Sequence, residues 1–305
     1  MTFVLATRRS QLALWQAETA ARLLRAAWSG LDVELLPVES AGDRDQKAAL
    51  ERFGRIGIFT VEVDRAVIEG RADAAVHSLK DMTTTLLEGV QLAGVLARGP
   101  VEDAWLSPAG TRLADLPPGS RVATGSLRRR AMLLARRPDL VTVGIRGNID
   151  TRLAKLAAGA ADGMILARAG LARLGLAERI TEVLDTRTFL PAVGQGLVGL
   201  TCRAGDEAAA RRLFAITDLE ARDAGVAERA LLAGLRGGCN VPVGAHARVV
   251  ESTLSLRARV LSPDGTQAVE GEITGARDQA APLGDSLARD LLERGAGRLI
   301  EEARG

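Results

Sequence analysis

One of the chain's two cysteines stands in a loop where it is able to react. Cys239 follows Gly237-Gly238 and precedes Asn240-Val241-Pro242, between a stretch of helical periodicity and one of strand periodicity. Glycines let a bulky group approach the backbone closely, and the thiolate is the nucleophilic form of cysteine. The segment predicts a covalent attachment point or a nucleophile at Cys239. The alternative is a small apolar side chain packed under a turn.

Three further loops share one arrangement, in which a strand is followed by a short polar loop with arginine and by the start of a helix. They are Thr7-Arg8-Arg9-Ser10, Thr124-Gly125-Ser126-Leu127-Arg128-Arg129 and Arg146-Gly147-Asn148-Ile149-Asp150-Thr151-Arg152. Helix N-termini present free N–H groups, and arginine binds carboxylate or phosphate bidentately. The three loops predict a site for a ligand with several negative groups. The pattern also predicts helix N-caps at Ser10, Ser126 and Asn148, and a capping role is compatible with ligand binding. The alternative is that these residues are caps alone and that the arginines are solvated.

A fourth segment, Ala75-Val76-His77-Ser78-Leu79-Lys80-Asp81, places polar residues directly after a buried strand. A carboxylate among arginines stays ionised, so Asp81 is suited to stabilise a cation that develops on a substrate. The alternative is an exposed Lys80–Asp81 ion pair of little energetic value.

We interpret His77 as a hydrogen-bonded structural residue and Cys202 as a core residue. Gln195, between Gly194 and Gly196, fits a hinge or a close approach of backbone to ligand.

Strand and helix patterns alternate through the first two thirds of the chain, which predicts mostly parallel sheets covered by helices. Strands are expected over residues 3–6, 32–38, 72–76, 90–96, 104–106, 122–124, 141–145 and 163–167, with helices from residue 10 to 24 and over 59–69, 127–136 and 151–158. After residue 215 the pattern changes. A helix over 228–235 precedes the cysteine loop, strands over 243–250, 254–261 and 267–274 follow, and a helix over 283–292 is expected to stop at Gly295.

Composition limits the class of protein. The 305 residues carry 40 basic and 38 acidic side chains, a net charge of +2, and of the basic residues only Lys47, Lys80 and Lys155 are lysines. Aromatic residues make up 3% with no tyrosine, so stacking platforms for RNA are few. Two cysteines indicate a reducing compartment, and no metal-ligand spacing or membrane-length apolar run is found. Because the N-terminal apolar run is too short for a signal peptide, we expect a cytoplasmic protein.

The motifs, taken together and in order, resemble the porphobilinogen deaminase family almost from end to end. The matching segments are Ala6-Thr7-Arg8-Arg9-Ser10 with Leu12-Ala13-Leu14-Trp15-Gln16, Val76-His77-Ser78-Leu79-Lys80-Asp81, Gly125-Ser126-Leu127-Arg128-Arg129, Arg146-Gly147-Asn148 with Thr151-Arg152, Leu190-Pro191-Ala192-Val193-Gly194-Gln195-Gly196, Ala227-Glu228-Arg229-Ala230 and Gly237-Gly238-Cys239-Asn240-Val241-Pro242.

The resemblance implies an α/β fold of two domains like those of type II periplasmic binding proteins, with mixed, mostly parallel sheets. A small C-terminal α+β domain with three antiparallel strands carries the cysteine. The expected boundaries are 1–96 with 197–214 for domain 1, 97–196 for domain 2 and 215–305 for domain 3. We expect a monomer that binds no nucleic acid and no membrane.

The resemblance also implies a reaction. Four porphobilinogen molecules are joined head to tail with loss of ammonia on a dipyrromethane cofactor, which a thioether attaches to Cys239, and 1-hydroxymethylbilane is released by hydrolysis. Asp81 and Lys80 match the family's catalytic residues. The positions expected to bind the cofactor and the carboxylates are Cys239, Arg8, Ser10, Ser78, Lys80, Asp81, Thr124, Ser126, Arg128, Arg129, Arg146, Gly147, Arg152 and Gln195, with no metal.

Five positions depart from the family pattern. Ile56 replaces a lysine in a loop that is mobile in the family, and Thr83 replaces a proline. Gly125 stands where serine is common in the family. Arg168 stands where a small or apolar residue is common, and Arg236 stands where an acidic residue is common. The alternative functions are a non-catalytic two-domain anion-binding protein and an RNA-binding protein that uses residues 127–130 and 136–137. Only the deaminase is expected to carry a covalent dipyrrole.

Overall fold

The computed structural model describes residues 2–39, 60–237 and 241–304. The chain divides into two compact units. The first contains Met1–Gly99 and Gly196–Gly225, so the chain leaves it and returns, and the second contains Pro100–Gln195 and Val226–Gly305.

The first unit is an α/β layer whose elements alternate along the chain. Its elements are β1 (Thr2–Arg8), α1 (Gln11–Ala27), β2 (Asp32–Val38), α2 (Val61–Ile68), β3 (Ala74–Ser78), β4 (Val90–Val95), β10 (Val198–Arg203) and α6 (Glu207–Phe214). The strands form one sheet in the order β2-β1-β3-β10-β4, in which only β10 runs antiparallel to its neighbours. Helix α7 (Leu219–Gly234) begins in this unit and ends in the second.

The core of the first unit lies on both faces of this sheet, because its central strands are apolar on both sides. On one face Leu5 and Val76 pack with Leu24 of α1, and on the other Ala75 packs with Val63 and other residues of α2. Burial on both faces is typical of parallel strands covered by helices. The packing holds the carboxyl ends of β1 and β3 side by side, because these strands pair in parallel.

The sheet of the second unit has the same pattern of strand directions as that of the first, although its antiparallel strand comes first along the chain instead of last. Its elements before residue 196 are β5 (Asp103–Leu106), β6 (Arg121–Ala123), α3 (Leu127–Leu134), β7 (Val141–Val143), α4 (Ile149–Ala157), β8 (Gly163–Ala167), α5 (Arg168–Arg173) and β9 (Glu182–Val183). The sheet order is β7-β6-β8-β5-β9, with β5 antiparallel to both its neighbours. Both sheets thus place three consecutive parallel strands beside one antiparallel strand.

A separate three-stranded sheet completes the second unit. It consists of β11 (Val243–Val250), β12 (Thr253–Leu261) and β13 (Ala268–Ala276), antiparallel and in chain order, followed by α8 (Ala280–Glu293) and α9 (Ala296–Glu302). Alternate residues of β12 are buried, which matches a sheet covered on one face. With two mixed α/β sheets and this antiparallel sheet, the fold class predicted from the sequence is confirmed.

Element boundaries differ from the sequence expectations mainly at helices. The helix predicted over 228–235 begins at Leu219, where Asp218 accepts a hydrogen bond from the Ala221 N–H at 2.8 Å. Gly295 ends α8 with a φ of 95°, as expected, but the chain continues directly into α9. Pro282 lies in the first turn of α8, where proline is tolerated.

Candidate functional site

A cavity opens at the carboxyl ends of β1 and β3 in the first unit. Among the described residues it is lined by Arg8, Ser10, Leu12, Ala13, Gln16, Thr60, Val76, His77, Ser78 and Asp81. Four of these, Arg8, Ser10, Ser78 and Asp81, are site residues predicted from the sequence. The structure therefore brings together residues that lie up to 73 positions apart along the chain because parallel strands end at one edge.

Ser10 has the cap role predicted for it. Its hydroxyl accepts a hydrogen bond from the Ala13 N–H at 3.3 Å, which starts α1. The helix therefore directs its N-terminus, with its positive dipole end, toward the cavity that Ser10 lines. Arg8 is the last residue of β1 and is half-buried, so one edge holds a guanidinium, a hydroxyl and a helix N-terminus, all of which favour anions.

Gln16 belongs to this cavity but was not among the residues predicted from the sequence to bind ligand. Its Nε2 donates to the Ser78 hydroxyl at 2.9 Å, and the side chain is 2% exposed. The sequence feature that could have identified Gln16 is its position on the buried face of α1, together with Ala13 and Ala17. Because a buried amide requires partners, such a position indicates a fixed polar contact.

Asp81 lies in a short 3₁₀ turn, Leu79–Asp81, that follows β3 directly. The turn is held by its first residue, whose N–H donates to the Leu197 carbonyl at 3.0 Å. Within the described parts of the chain, the half-buried Asp81 carboxylate accepts no hydrogen bond and forms no ion pair. An ion pair with Lys80, the structural alternative for this carboxylate, is therefore absent from the described contacts.

Under the cavity lies a buried polar network. His77 Nε2 lies 2.9 Å from Asp64 Oδ1, and Thr201 donates to the same oxygen at 2.7 Å. All three side chains are buried. His77 is therefore hydrogen-bonded inside the fold, in agreement with its interpretation as a structural residue, and the network fixes the strand that leads to Ser78 and Asp81.

The second unit has its own polar edge at the ends of β6 and β7. Ser126 caps α3 by accepting the Arg129 N–H at 3.4 Å, and its own N–H donates to the Thr124 hydroxyl at 3.2 Å. Asn148 caps α4 by accepting the Thr151 N–H at 2.9 Å. The predicted caps are thus confirmed, and two helix N-termini follow adjacent strands. A Cβ at Gly125 would lie 3.0 Å from the Ile145 carbonyl oxygen, so glycine suits the contact between these loops.

The loop before α4 is shaped by its own basic residues. Gly147 has a φ of 116°, and a Cβ there would lie 2.7 Å from the Thr151 side chain, so the turn requires glycine. Arg152 donates its Nε–H to the Gly147 carbonyl at 2.7 Å, and Lys155 donates to the Arg146 carbonyl at 3.0 Å. These contacts hold the backbone of the loop, while the Arg146 side chain is exposed.

Arg128 and Arg129 surround a buried carboxylate at the start of β5. Asp103 is 0% exposed and contacts both guanidinium groups. Burial disfavours its charge, but the charges and hydrogen bonds of the two arginines outweigh burial and lower the pKa of Asp103 to about 2. Gln195, also fully buried, donates to Asp103 at 3.1 Å and to the Val101 carbonyl at 2.8 Å. No motif in the sequence pointed to Asp103.

Four other positions singled out in the sequence are Cys239, Ile56, Cys202 and Arg168. Cys239 lies outside the described residues, as does Ile56. Cys202 is fully buried in the core of the first unit, as interpreted, and burial raises the pKa of its thiol. Arg168, one of the departures, donates to the Glu102 carboxylate at 3.0 Å, which provides an acceptor for this extra cation.

Within residues 2–39, 60–237 and 241–304, no helix is both long and apolar enough to cross a membrane. The same residues contain no group of three or more histidine, cysteine or acidic side chains arranged to hold a metal ion.

Comparison with known proteins gives matches to two family models and to solved structures. Residues 3–211 match the model for porphobilinogen deaminase, dipyromethane cofactor binding domain, and residues 224–293 match the model for porphobilinogen deaminase, C-terminal domain.

Solved structures with a similar chain trace include the BvgS VFT2 domain of Bordetella pertussis, at 18% identity over 70% of this chain and 86% of that chain with a TM-score of 0.41. YhfZ from Shigella flexneri has 18% identity over 76% and 95% of the two chains, with a TM-score of 0.36. A TRAP periplasmic solute binding protein from Desulfovibrio salexigens has 13% identity over 71% and 72%, with a TM-score of 0.43.

Proposed function

The chain belongs to the porphobilinogen deaminase family, and we propose which of its residues perform that family's reaction. The enzyme is a transferase, hydroxymethylbilane synthase, of tetrapyrrole biosynthesis. It joins four porphobilinogen molecules head to tail on a dipyrromethane cofactor and releases 1-hydroxymethylbilane. The observation that carries the residue assignment is the placement of Asp81 beside Arg8, Ser10 and Ser78 around one cavity.

Asp81 is proposed to stabilise the cation formed when porphobilinogen loses ammonia. Its carboxylate has no competing partner in the described residues, so it is available to a cationic azafulvene and to pyrrole N–H groups. Preorganised charge of this kind contributes most where charge develops during the reaction. Lys80, the adjacent residue, is proposed to contact a substrate carboxylate.

The polar residues of the two edges are proposed to bind carboxylates. Each pyrrole ring of the chain carries an acetate and a propionate, which require charge-assisted donors. On the first unit these are Arg8, Ser10 and Ser78, and on the second Thr124, Ser126, Arg128, Arg146, Gly147 and Arg152. We propose no metal.

The residues present fit a polycarboxylate cofactor. The Arg128 Nε is buried and has no hydrogen-bond partner among the described residues, which is the condition expected of a donor that meets a ligand carboxylate. When bound, dipyrromethane supplies the pyrrole end to which the first substrate is joined. Cys239, outside the described residues, is proposed to hold it through a thioether.

We also propose the expected domain division of 1–96 with 197–214, 97–196 and 215–305. Its support is that one family match ends at residue 211 and the next begins at residue 224. A monomeric, cytoplasmic enzyme is proposed with it.

The intact mass of the purified protein tests the cofactor assignment. We expect the wild type and Cys202→Ala to carry a dipyrrole adduct, whereas Cys239→Ala carries none and makes no hydroxymethylbilane. Cys202 is the matched control because it is the only other cysteine. An adduct on Cys202, or an unmodified and inactive wild type, would exclude the assignment. A non-catalytic binding protein would likewise carry no covalent group.

A further inference from the structure

A further arginine stands at the end of the third parallel strand of the second unit. β6 leads into the loop with Thr124 and Ser126, and β7 leads into the loop with Arg146. β8, which pairs in parallel with β6, is followed directly by Arg168. Because the carboxyl ends of parallel strands meet at one edge of a sheet, where ligands bind, Arg168 belongs to the same edge as the loops predicted to hold carboxylates.

The position of Arg168 places it on the sheet face that α4 covers. Leu166 of β8 packs on this face with Leu156 of α4, and Arg168 follows Leu166 by two positions, the period with which residues of a strand return to one face. Helix α4 begins after the loop that contains Arg146, and it carries Arg152. The same face is therefore bordered by arginines that follow two different strands.

Arg168 is held from one side of its guanidinium group. Its backbone N–H donates to the Glu102 carbonyl, and its Nη1 donates to Glu102 Oε1, both at 3.0 Å. Within the described residues, its Nε and Nη2 donate no hydrogen bond. These two atoms form the forked edge with which arginine binds a carboxylate bidentately.

The ion pair leaves this edge within reach of a ligand. The side chains of Arg168 and Glu102 are 39% and 27% exposed, and an ion pair at such exposure contributes little to stability because water screens it. Its effect is to hold Nη1 in place, so Nε and Nη2 remain available to an anion while the pair with Glu102 is intact.

We propose that Arg168 binds an acetate or propionate carboxylate of the pyrrole chain through Nε and Nη2, with Glu102 as the residue that positions its guanidinium group. This role rests on the proposed function and adds a binding position that no motif in the sequence predicted. Because a small or apolar residue is common here in the family, the contact is particular to this chain.

The test compares Arg168→Ala, Glu102→Gln and the double variant Arg168→Ala/Glu102→Gln, with Arg112→Ala as control. Arg112 also forms an ion pair in this unit, with Glu182 at 3.3 Å, but it follows the antiparallel strand β5 and so lies toward the amino ends of the parallel strands. KM, kcat, adduct occupancy by intact mass and the thermal midpoint are measured for each variant at low and at high salt.

We expect Arg168→Ala to raise KM about fivefold or more at low salt, with kcat within about twofold of the wild type, as for loss of a charged hydrogen bond at a partly exposed site. The rise should shrink at high salt, because salt screens the attraction. Adduct occupancy should fall, whereas the thermal midpoint should stay within about 2 °C because the ion pair is partly exposed. Arg112→Ala should keep the wild-type KM and occupancy.

The double variant separates binding by Arg168 from repulsion by Glu102. Arg168→Ala leaves the Glu102 carboxylate without its cation, and this charge alone repels a substrate carboxylate. Because Arg168→Ala/Glu102→Gln removes both charges, we expect its KM to stay raised. Glu102→Gln alone should keep KM within about twofold of the wild type, since glutamine still accepts a hydrogen bond from Nη1.

A return of KM to the wild-type value in the double variant, or an equal rise of KM in Arg112→Ala, would overturn the ligand role of Arg168 alone. So would a lower thermal midpoint of Arg168→Ala at unchanged KM and occupancy, which is the result expected of a structural ion pair. A wild type without adduct or product would overturn the proposed function as well.

Discussion

Asp64 and His77 meet inside the first unit, with His77 Nε2 at 2.9 Å from Asp64 Oδ1, although one residue lies on a helix and the other on a strand. Thr201 shares the same oxygen. The carboxylate thus joins α2 to two strands of the sheet at the end where Ser78 and Asp81 follow.

Replacing Asp64 by alanine is expected to destabilise the first unit strongly. The change leaves His77 and Thr201 buried without their acceptor, so we expect a loss of about 3 kcal/mol in the free energy of unfolding. Urea denaturation measures it. The control is Asp32→Ala, which removes an exposed hydrogen bond to Thr2 and should cost less than about 0.5 kcal/mol. Similar midpoints for the two variants would show that the buried network contributes little.

Asp81→Asn is expected to impair turnover and leave the fold intact. The variant keeps the size of the side chain but loses the charge that we propose stabilises a developing cation, so kcat should fall by on the order of a hundredfold or more. Because the Asp81 carboxylate has no partner within the described residues, the thermal midpoint should stay within about 2 °C of the wild type. Single-turnover rates and melting curves measure the two effects. An unchanged single-turnover rate would remove Asp81 from the mechanism.

Acid should weaken the second unit through Asp103. Its pKa is lowered to about 2, so the carboxylate binds protons less readily in the folded than in the unfolded protein. Above the pKa of an aspartate in the unfolded protein, near 4, the lowered pKa of Asp103 contributes about 2 kcal/mol to the free energy of unfolding. This contribution is lost as the pH falls toward 2. Urea midpoints of wild type and Asp103→Asn between pH 6 and 2 should therefore converge below about pH 4. A constant difference would contradict the assignment.

Glu228 is expected to be sensitive to loss of its second oxygen. Its two carboxylate oxygens accept the N–H groups of Gly194, at 2.7 Å, and of Ala247, at 2.8 Å, and the residue is fully buried. Glutamine has one acceptor oxygen, so Glu228→Gln loses one of these two hydrogen bonds and should cost about 1–3 kcal/mol. Glu228→Ala loses both and should cost more. We expect the urea midpoint to be highest for the wild type, lower for Glu228→Gln and lowest for Glu228→Ala. Equal midpoints for the two variants would contradict this account.

Local patterns predicted β1 to β8 and the three caps, because apolar runs and capping residues act over a few positions, but β9 and β10 were not among the predicted strands. They missed the first part of α7, where Gly225 and several polar residues dilute the helical periodicity and Asp218 is the remaining signal. Most of the positions proposed to bind carboxylates belong to motifs at strand ends.

Contacts between distant residues were not predictable in this way. In the sequence, nothing distinguishes Asp103 from the other acidic residues. Its role depends on the fold, which brings Arg129, Ile165 and Gln195 next to it. Gln16 similarly gains its role only when α1 packs against the end of β3 and meets Ser78. The ligand role of each residue stays a prediction.

The position of β10 between β3 and β4 has a consequence for synthesis on the ribosome. The two strands that flank β10 are made before residue 96, but the strand that pairs with both is made only after residue 197. While the intervening residues, 100–195, are being translated, β3 and β4 each present an unpaired edge, and such edges are prone to aggregate. The nascent chain therefore passes through a long interval in which its first sheet is incomplete and in which a chaperone is most needed.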